Sequence, residues 1–269
     1  MSRMLDTTIG LSGDREKALA MFDVSRETVA RLDRFVELLL AWQRRTNLIA
    51  PSTIPSLWTR HIADSLQLLQ LVETPAPHPL PNGGEGSEGG IGVRLRGADS
   101  LPPFGGGEEF AASSSLNLAP MRSGGVWLDL GSGGGFPGVV IACALADVPG
   151  TRIHLIESNM KKASFLREAV RETEVPGIVH AARIETLVPA LGAVADYVTA
   201  RALAPLPDLL EMIAPFLKKG AKALLPKGQD LDIELTRATK RWNIEATSVP
   251  SKTSRAGRIL IVHALSKRA

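Results

Sequence analysis

The stretch Val126-Trp-Leu-Asp129-Leu-Gly131-Ser-Gly133-Gly-Gly135-Phe136-Pro137-Gly138 decides the fold of this 269-residue chain. Val126–Leu130 reads as a short apolar strand running into a turn where glycines admit positive φ and let a ligand approach the backbone. The helical stretch that follows, Gly138–Ala146, turns its first amides and positive dipole end toward such a ligand. In an open α/β sheet this turn lies outside the carboxyl ends of the strands, where ligands bind. Taken literally, Gly133-x-Gly135-x-x-Gly138 matches the dinucleotide fingerprint, with Glu157 downstream to take ribose hydroxyls. An NAD-dependent oxidoreductase is therefore one rival to consider.

Downstream of the turn, strand and helix signals alternate. Strands are expected at Ile153–Ile156, Ile178–Ala181, Tyr197–Ala200 and Ala221–Leu225, with Val249 and Ile259–Leu265 as a closing antiparallel pair. Helices are expected at Lys161–Thr173, with Phe165, Leu166 and Val170 on one side, and at Pro207–Leu217. Such alternation predicts an α/β, Rossmann-like domain over residues 124–269, a mainly parallel sheet with helices on both faces.

Upstream, residues 1–74 read as a small N-terminal helical cap. Val29, Leu32, Phe35, Val36, Leu39 and Trp42 recur at three- and four-residue spacing, with Ser25 as a candidate cap. Pro55 suits the first turn of a second helix whose stripe is Trp58, Ile62, Leu66 and Leu69. Between the two parts, residues 75–123 are dominated by glycine and proline and bury too little apolar surface to offset their ordering entropy. They read as a disordered or irregular insertion or linker.

Bulk properties narrow the class. A single cysteine, Cys143, excludes an internal disulfide and a cysteine-rich metal site. His61 has no clustered His or Cys partners, so no metal is expected. No secretion signal opens the chain and no apolar run is long enough to cross a bilayer, which predicts a soluble, cytoplasmic protein with no membrane partner. A net charge of +3 is compatible with a polyanionic partner without demonstrating one.

Two details favour S-adenosylmethionine over NAD. Asp129 sits two residues before Gly131, and Asp-x-Gly-x-Gly-x-Gly resembles motif I of class I S-adenosylmethionine-dependent methyltransferases. Counted from the strand, the position where the NAD pattern wants its third glycine is Phe136. Beyond motif I the chain resembles the RsmG (GidB) family. The resemblance rests on Trp42-Gln-Arg-Arg-Thr-Asn47-Leu48, Arg60-His61-Ile-Ala-Asp64-Ser65-Leu66, the Gly131–Gly138 turn and Lys161-Lys162-x-x-Phe165-Leu166. It continues through Arg183-Ile184-Glu185, Arg201-Ala202, Leu225-Pro226-Lys227-Gly228 and Arg258-Ile-Leu-Ile-Val262. The resemblance implies methyl transfer to N7 of a guanine in 16S ribosomal RNA, in the small ribosomal subunit or its assembly intermediate. It implies that Gly131 and Phe136 line the cofactor, that Ile184 and Glu185 lie beside the adenine, and that Arg201 lies near cofactor and target. Gly133, Gly135 and Glu157 join the cofactor set from the turn itself. The 75–123 segment departs from the family, being longer than its usual connection.

The end of the fourth strand tests the chemistry separately. Thr199-Ala-Arg201-Ala lacks the Asn/Asp-Pro-Pro-aromatic sequence that aligns an exocyclic amine, and Cys143 lies in the helix after the turn, where packing rather than cytosine attack is expected. Guanine N7 needs neither device, because its lone pair is free at neutral pH. Holding it in line is the main requirement, so no obligatory general base is expected. Arg201, His61, Asp64 and Asn47 are candidate positioning groups. His61 and Asp64 share a helix face and are open to three roles: a proton relay, an RNA-contacting edge, or a clasp between cap and catalytic domain. Arg60, Lys161, Lys227 and Arg258 are RNA-binding candidates, with Arg44, Arg45, Lys162 and Arg255 behind them. The target base is expected to be splayed from its neighbours. A methyltransferase of this fold acting on a protein or small molecule is the first rival. A non-enzymatic assembly factor is disfavoured by intact Gly131, Glu157 and Arg201.

Overall fold

The computed structural model describes residues 2–72, 93–96, 124–191 and 195–268, with only the backbone described for residues 2–10 and 93–96. The chain begins with α1 (Ser2–Leu19) and α2 (Arg26–Gln43). The Ser25 side chain accepts the Thr28 amide at 3.1 Å, so α2 starts at the cap its sequence announces. A regular second helix does not follow. Residues 51–71 wind as a 3-10 segment (Pro51–Ser56), a π-helical segment (Trp58–Ala63), the single turn α3 (Asp64–Leu66) and a second 3-10 segment (Gln67–Leu71). Pro51 and Pro55 withhold two amides at its start. Asp14 of α1 supplies the missing cap, accepting the Trp58 amide at 2.7 Å and the Thr59 amide at 3.2 Å.

The expected stripe of Trp58, Ile62, Leu66 and Leu69 is buried, but so are Leu57, His61, Ser65, Gln67, Leu68 and Leu71. The run is therefore enclosed on nearly every side. Its buried polar groups must find partners inside the protein. That requirement shapes the site described below.

Among the described residues eight strands form one sheet: β1 (Val93–Arg96), β2 (Val126–Leu130), β3 (Arg152–Ile156), β4 (Gly177–His180), β5 (Tyr197–Ala200), β6 (Lys222–Lys227), β7 (Trp242–Pro250) and β8 (Arg258–Lys267). Their order is β1-β7-β8-β6-β5-β2-β3-β4. All neighbours are parallel except that β8 runs antiparallel to both β6 and β7. The closing pair is longer than the expected Val249 and Ile259–Leu265. β1 is a strand inside the segment expected to be irregular, and it pairs with β7. The rest of 75–123 lies outside the described residues.

Helices α4 (Gly138–Ala144) and α5 (Met160–Thr173) cover one face together with α2. The cap has no separate core. Leu32, Phe35, Leu39 and Leu66 share a cluster with Val140, Ile153 and Phe165. Helices α6 (Ile184–Leu191), α7 (Leu206–Leu217) and α8 (Leu231–Ala238) belong to the opposite face, whose cluster includes Leu128, Val198, Leu210, Leu225 and Leu260. Because β2 lies between β3 and β5, the chain reverses direction across the sheet at β2. Ligands of such sheets bind at that switch point.

Candidate active site

Two cavities open at the carboxyl edge of the sheet. The first, about 360 Å³, is lined by Gly131, Gly133, Ile156, Glu157, Ile184, Glu185, Ala202 and Leu203 among others. Gly131 and Gly133 sit at φ of 67° and 54°. A Cβ at Gly131 would stand 2.5 Å from Leu203, while one at Gly133 would meet nothing closer than 3.6 Å. The glycine backbone is thus a wall of this cavity.

Glu157 ties two turns together. Its Oε2 accepts the Gly133 amide at 2.9 Å and its Oε1 accepts the Asn159 amide at 2.7 Å. A carboxylate oxygen accepts more than one hydrogen bond, so capacity for ribose hydroxyls remains. Behind the turn, Asp129 is fully buried and accepts the Thr199 hydroxyl at 2.8 Å and the Gly138 amide at 3.1 Å. Burial pushes its carboxyl up to about 6, opposed by those hydrogen bonds. Asp129 therefore anchors the turn and α4. Its position two residues before Gly131 is what places it there.

Two residues expected at the cofactor, Gly135 and Phe136, are not among the residues that line the first cavity. A Cβ at Gly135 would press on Val139 at 2.8 Å and Phe35 at 2.9 Å, so this glycine serves contact with the cap. The Phe136 side chain is buried against Phe35 (ring centroids 5.3 Å) and His61 (4.8 Å), outside the lining of the first cavity. The cap supplies an apolar niche that the residue spacing could not reveal.

The second cavity, about 430 Å³, gathers Arg60, His61, Asp64, Arg201, Lys227, Arg258 and Glu234. Ala202 lines both cavities and stands between them at φ 52°. A non-glycine residue there costs about 1–3 kcal/mol, a strain that clusters at functional sites.

Arg201 is the hub of this cavity. Its Nη1 donates to the Arg60 carbonyl at 3.1 Å and faces Asp64 Oδ2 at 3.6 Å. Its Nη2 donates to His61 Nδ1 at 2.7 Å, and its guanidinium lies 5.1 Å from the Phe136 ring centre. A guanidinium has no acceptor, so His61 Nδ1 is the unprotonated nitrogen. His61 Nε2 then carries the hydrogen and donates to Thr53 Oγ1 at 2.8 Å. Burial, then Arg201 and Arg60, push the imidazole down to about 3. His61 is neutral with both nitrogens engaged, which does not suit a proton relay.

Asp64 reaches across to the β7–β8 connection. Its Oδ1 accepts Gln67 Nε2 at 2.8 Å and Thr253 Oγ1 at 2.7 Å. Gln67 Oε1 in turn accepts the Lys252 amide at 2.9 Å. The sequence reading missed Thr53, Gln67 and Thr253. Only the i, i+3 spacing of Asp64 and Gln67 was available to it; Thr53 lies across the irregular 51–63 winding from His61, and Thr253 lies far away in the chain.

The remaining candidates divide. Lys227 pairs with Glu234 at 2.7 Å and Arg258 with Asp232 at 2.7 Å. Arg60 is exposed at the cavity rim. Lys161 starts α5 beside Trp42, Arg44 and Arg45, in a separate cavity. Asn47 is exposed and lines neither site cavity. It accepts Gln43 Nε2 at 3.3 Å, while Gln43 Oε1 accepts the Leu48 and Ile49 amides at 2.9 and 3.1 Å. That loop lies under the glycine turn, where a Cβ on Gly134 would stand 2.9 Å from the Leu48 carbonyl oxygen. Among the described residues no cluster of three metal-ligating side chains occurs, and no helix is long and apolar enough to cross a membrane.

The strand order with its one antiparallel member, the glycine turn at the switch point and the acid ending β3 define a class I S-adenosylmethionine-dependent methyltransferase. The chain belongs to the GidB family, rRNA small subunit methyltransferase G, which it matches over residues 28–78 and 112–260. It is 46% identical over 259 residues to ribosomal RNA small subunit methyltransferase G of Bradyrhizobium sp. (strain ORS 278), covering 96% of this chain and 95% of that relative. It is 48% identical over 257 residues to the protein of that name in Nitrobacter hamburgensis, covering 96% and 80%. Among solved structures, a chain of the fibrillarin/Nop5p complex is similar over 53% of this chain and 74% of that one, with 16% identity and a TM-score of 0.42.

Proposed function

We propose that this enzyme transfers a methyl group from S-adenosylmethionine to N7 of a guanine in 16S ribosomal RNA, within the small ribosomal subunit or an assembly intermediate of it, in the cytoplasm. The observation that carries the proposal is the pair of cavities sharing Ala202, with the two groups beside Arg201 in the second, His61 and Asp64, both committed to partners. His61 is neutral and spent on Arg201 and Thr53, and Asp64 is spent on Gln67, Thr253 and Arg201. N7 of guanine has no proton to lose, so such a cavity suffices for it.

The first cavity fits the cofactor. Gly131 and Gly133 provide close backbone approach, Glu157 has remaining acceptor capacity for ribose hydroxyls, and Ile184 and Glu185 line the place for the adenine. When bound, the cofactor supplies an activated methyl group: N7 gives both electrons of the new bond, and the pair of the broken S–CH3 bond stays on sulfur. The protein's own contribution is to hold the base still and exclude alternatives. Arg201, fixed by three groups and seated on Phe136, is a rigid donor at the divide between the cavities. Arg60, Arg258 and, farther out, Lys161 are proposed to meet phosphates. Arg258 must first release or share Asp232.

The test is methyl transfer from radiolabelled S-adenosylmethionine to small-subunit particles and to deproteinised RNA from cells lacking this protein. Labelled 7-methylguanosine, identified by mass spectrometry, is expected. A different labelled nucleoside, or label in protein alone, overturns the proposal.

A further inference from the structure

The second cavity holds two described carboxylates, Asp64 and Glu234. Asp64 is committed: Oδ1 takes two donors and Oδ2 faces Arg201. Glu234 is different. Its Oε2 stands 2.7 Å from Lys227 Nζ, as an ion pair rather than an aligned hydrogen bond. The side chains are 25% and 11% exposed, so the pair is held by the fold and still reaches the cavity. Among the described residues nothing hydrogen-bonds to its Oε1.

The sheet orders what surrounds the base. The cofactor cavity lies at the ends of β2 and β3, Arg201 and Ala202 follow β5, and Lys227 ends β6, the next strand outward. Adjacent strands are about 4.8 Å apart. A guanine whose N7 faces Ala202 and the cofactor cavity carries O6 beside N7, and its Watson–Crick edge continues round the adjoining side of the six-membered ring, the side turned toward β6 when the base lies along the second cavity. That edge offers an acceptor, O6, beside two donors, N1–H and the N2 amine. A lysine beside a glutamate offers the complementary pattern. Adenine would set its amine against Lys227 and its N1 lone pair against Glu234.

We propose that Glu234, held by Lys227, reads the Watson–Crick edge of the target guanine. It also balances the positive charge that the base gains when N7 supplies both electrons of the new N–CH3 bond. This rests on the guanine-N7 function proposed above. A carboxylate at N1–H and the N2 amine binds the base more strongly as that charge develops, so it speeds transfer as well as selecting the base.

The experiment uses an RNA fragment carrying guanosine or inosine at the modified position, once mass spectrometry has mapped it. Inosine keeps N7 and O6 but lacks the N2 amine. Affinity is read by fluorescence anisotropy with S-adenosylhomocysteine present, and rate by single turnover. The unchanged protein is expected to lose about tenfold in both on inosine, as one charge-assisted hydrogen bond requires. Glu234→Gln is expected to lose about tenfold or more in rate on guanosine, with little further loss on inosine. Its S-adenosylhomocysteine affinity should stay unchanged. Equal inosine losses in both proteins, or an unchanged rate in the variant, overturn the assignment. If Glu234→Gln does not fold, the unchanged protein decides alone, since no loss on inosine overturns it. A failure of the underlying function shows earlier, as the absence of 7-methylguanosine with the unchanged protein, and takes this assignment with it.

Discussion

The two cavities meet at Ala202 but are built by opposite means. The first is mostly local: Gly131, Gly133, Glu157, Ile184 and Glu185 come from the ends of consecutive strands, and two backbone amides on one carboxylate fix the geometry. The second is assembled from distant segments around Arg201, which is joined to the cap at residues 60–64, with the cap joined in turn to Thr253. A site made of backbone at a strand–helix turn tolerates change elsewhere in the chain. A site made of side chains from distant segments depends on each of them.

The comparison predicts that damage should separate. The largest effect is expected from Arg201→Ala, which strips His61 Nδ1, Asp64 and the Arg60 carbonyl of their shared donor. RNA methylation should fall at least about 100-fold, as misplacement of a reacting group allows, and folding stability by about 3 kcal/mol. Calorimetry should find S-adenosylhomocysteine bound within a few-fold of the unchanged protein, and a collapse of that affinity would show the cavities to be one unit. Lysine should not rescue, because a point charge cannot meet all three partners.

Gly135→Ala probes the seam between cap and turn. Left-handed backbone at φ 86° combines with contacts below 3 Å to Val139 and Phe35, so a loss of about 2–4 kcal/mol is expected in denaturant melts. Gly220→Ala is the control: φ is 99° but nothing lies within 4 Å, and only about 1 kcal/mol should be lost. Similar losses for the two would mean that backbone strain, not cap packing, sets the requirement.

Glu157→Gln sharpens the other side. An amide in place of the carboxylate turns an NH2 toward Gly133 or Asn159, both donors. S-adenosylhomocysteine affinity should drop about tenfold while RNA affinity stays unchanged. If RNA binding drops equally, the turn supports both cavities.

The smallest expected effect is in acid. His61 has a folded pKa of about 3, below its unfolded value, so the folded state holds fewer protons between about pH 3 and 6.5. Its contribution is complete above pH 6.5 and is lost as pH falls toward 3. Asp129, with a folded pKa of about 6, acts oppositely, losing its contribution as pH rises from about 4 through 6. Replacing His61 by asparagine should flatten the acid arm of the melting-temperature profile, and an NMR titration should show the His61 ring uncharged at pH 5.

Much of this was legible in the residues, and unevenly so. Ser25 capped its helix, Val126–Leu130 and Tyr197–Ala200 formed strands within the expected bounds, and Glu157 lay at the glycine turn. What escaped was marked weakly. Helix α6 carries Pro189 inside it, α8 opens with charged residues, and β1 is four residues in a glycine-rich segment. Phe136 sat beside the glycines in sequence but turned toward Phe35 and His61, because burying an aromatic ring against the cap removes more apolar surface from water.

By itself the sequence determined the alternation of strands and helices, the glycine turn and the acid that closes it. These depend on backbone freedom, periodicity and neighbours a few residues away. Only the tertiary structure decided that residues 51–71 would be enclosed, that His61 would be neutral, and that Arg201 would be held by the cap. Those outcomes follow from burying polar groups away from water, where each must be satisfied by whatever distant residue the fold brings within hydrogen-bond reach.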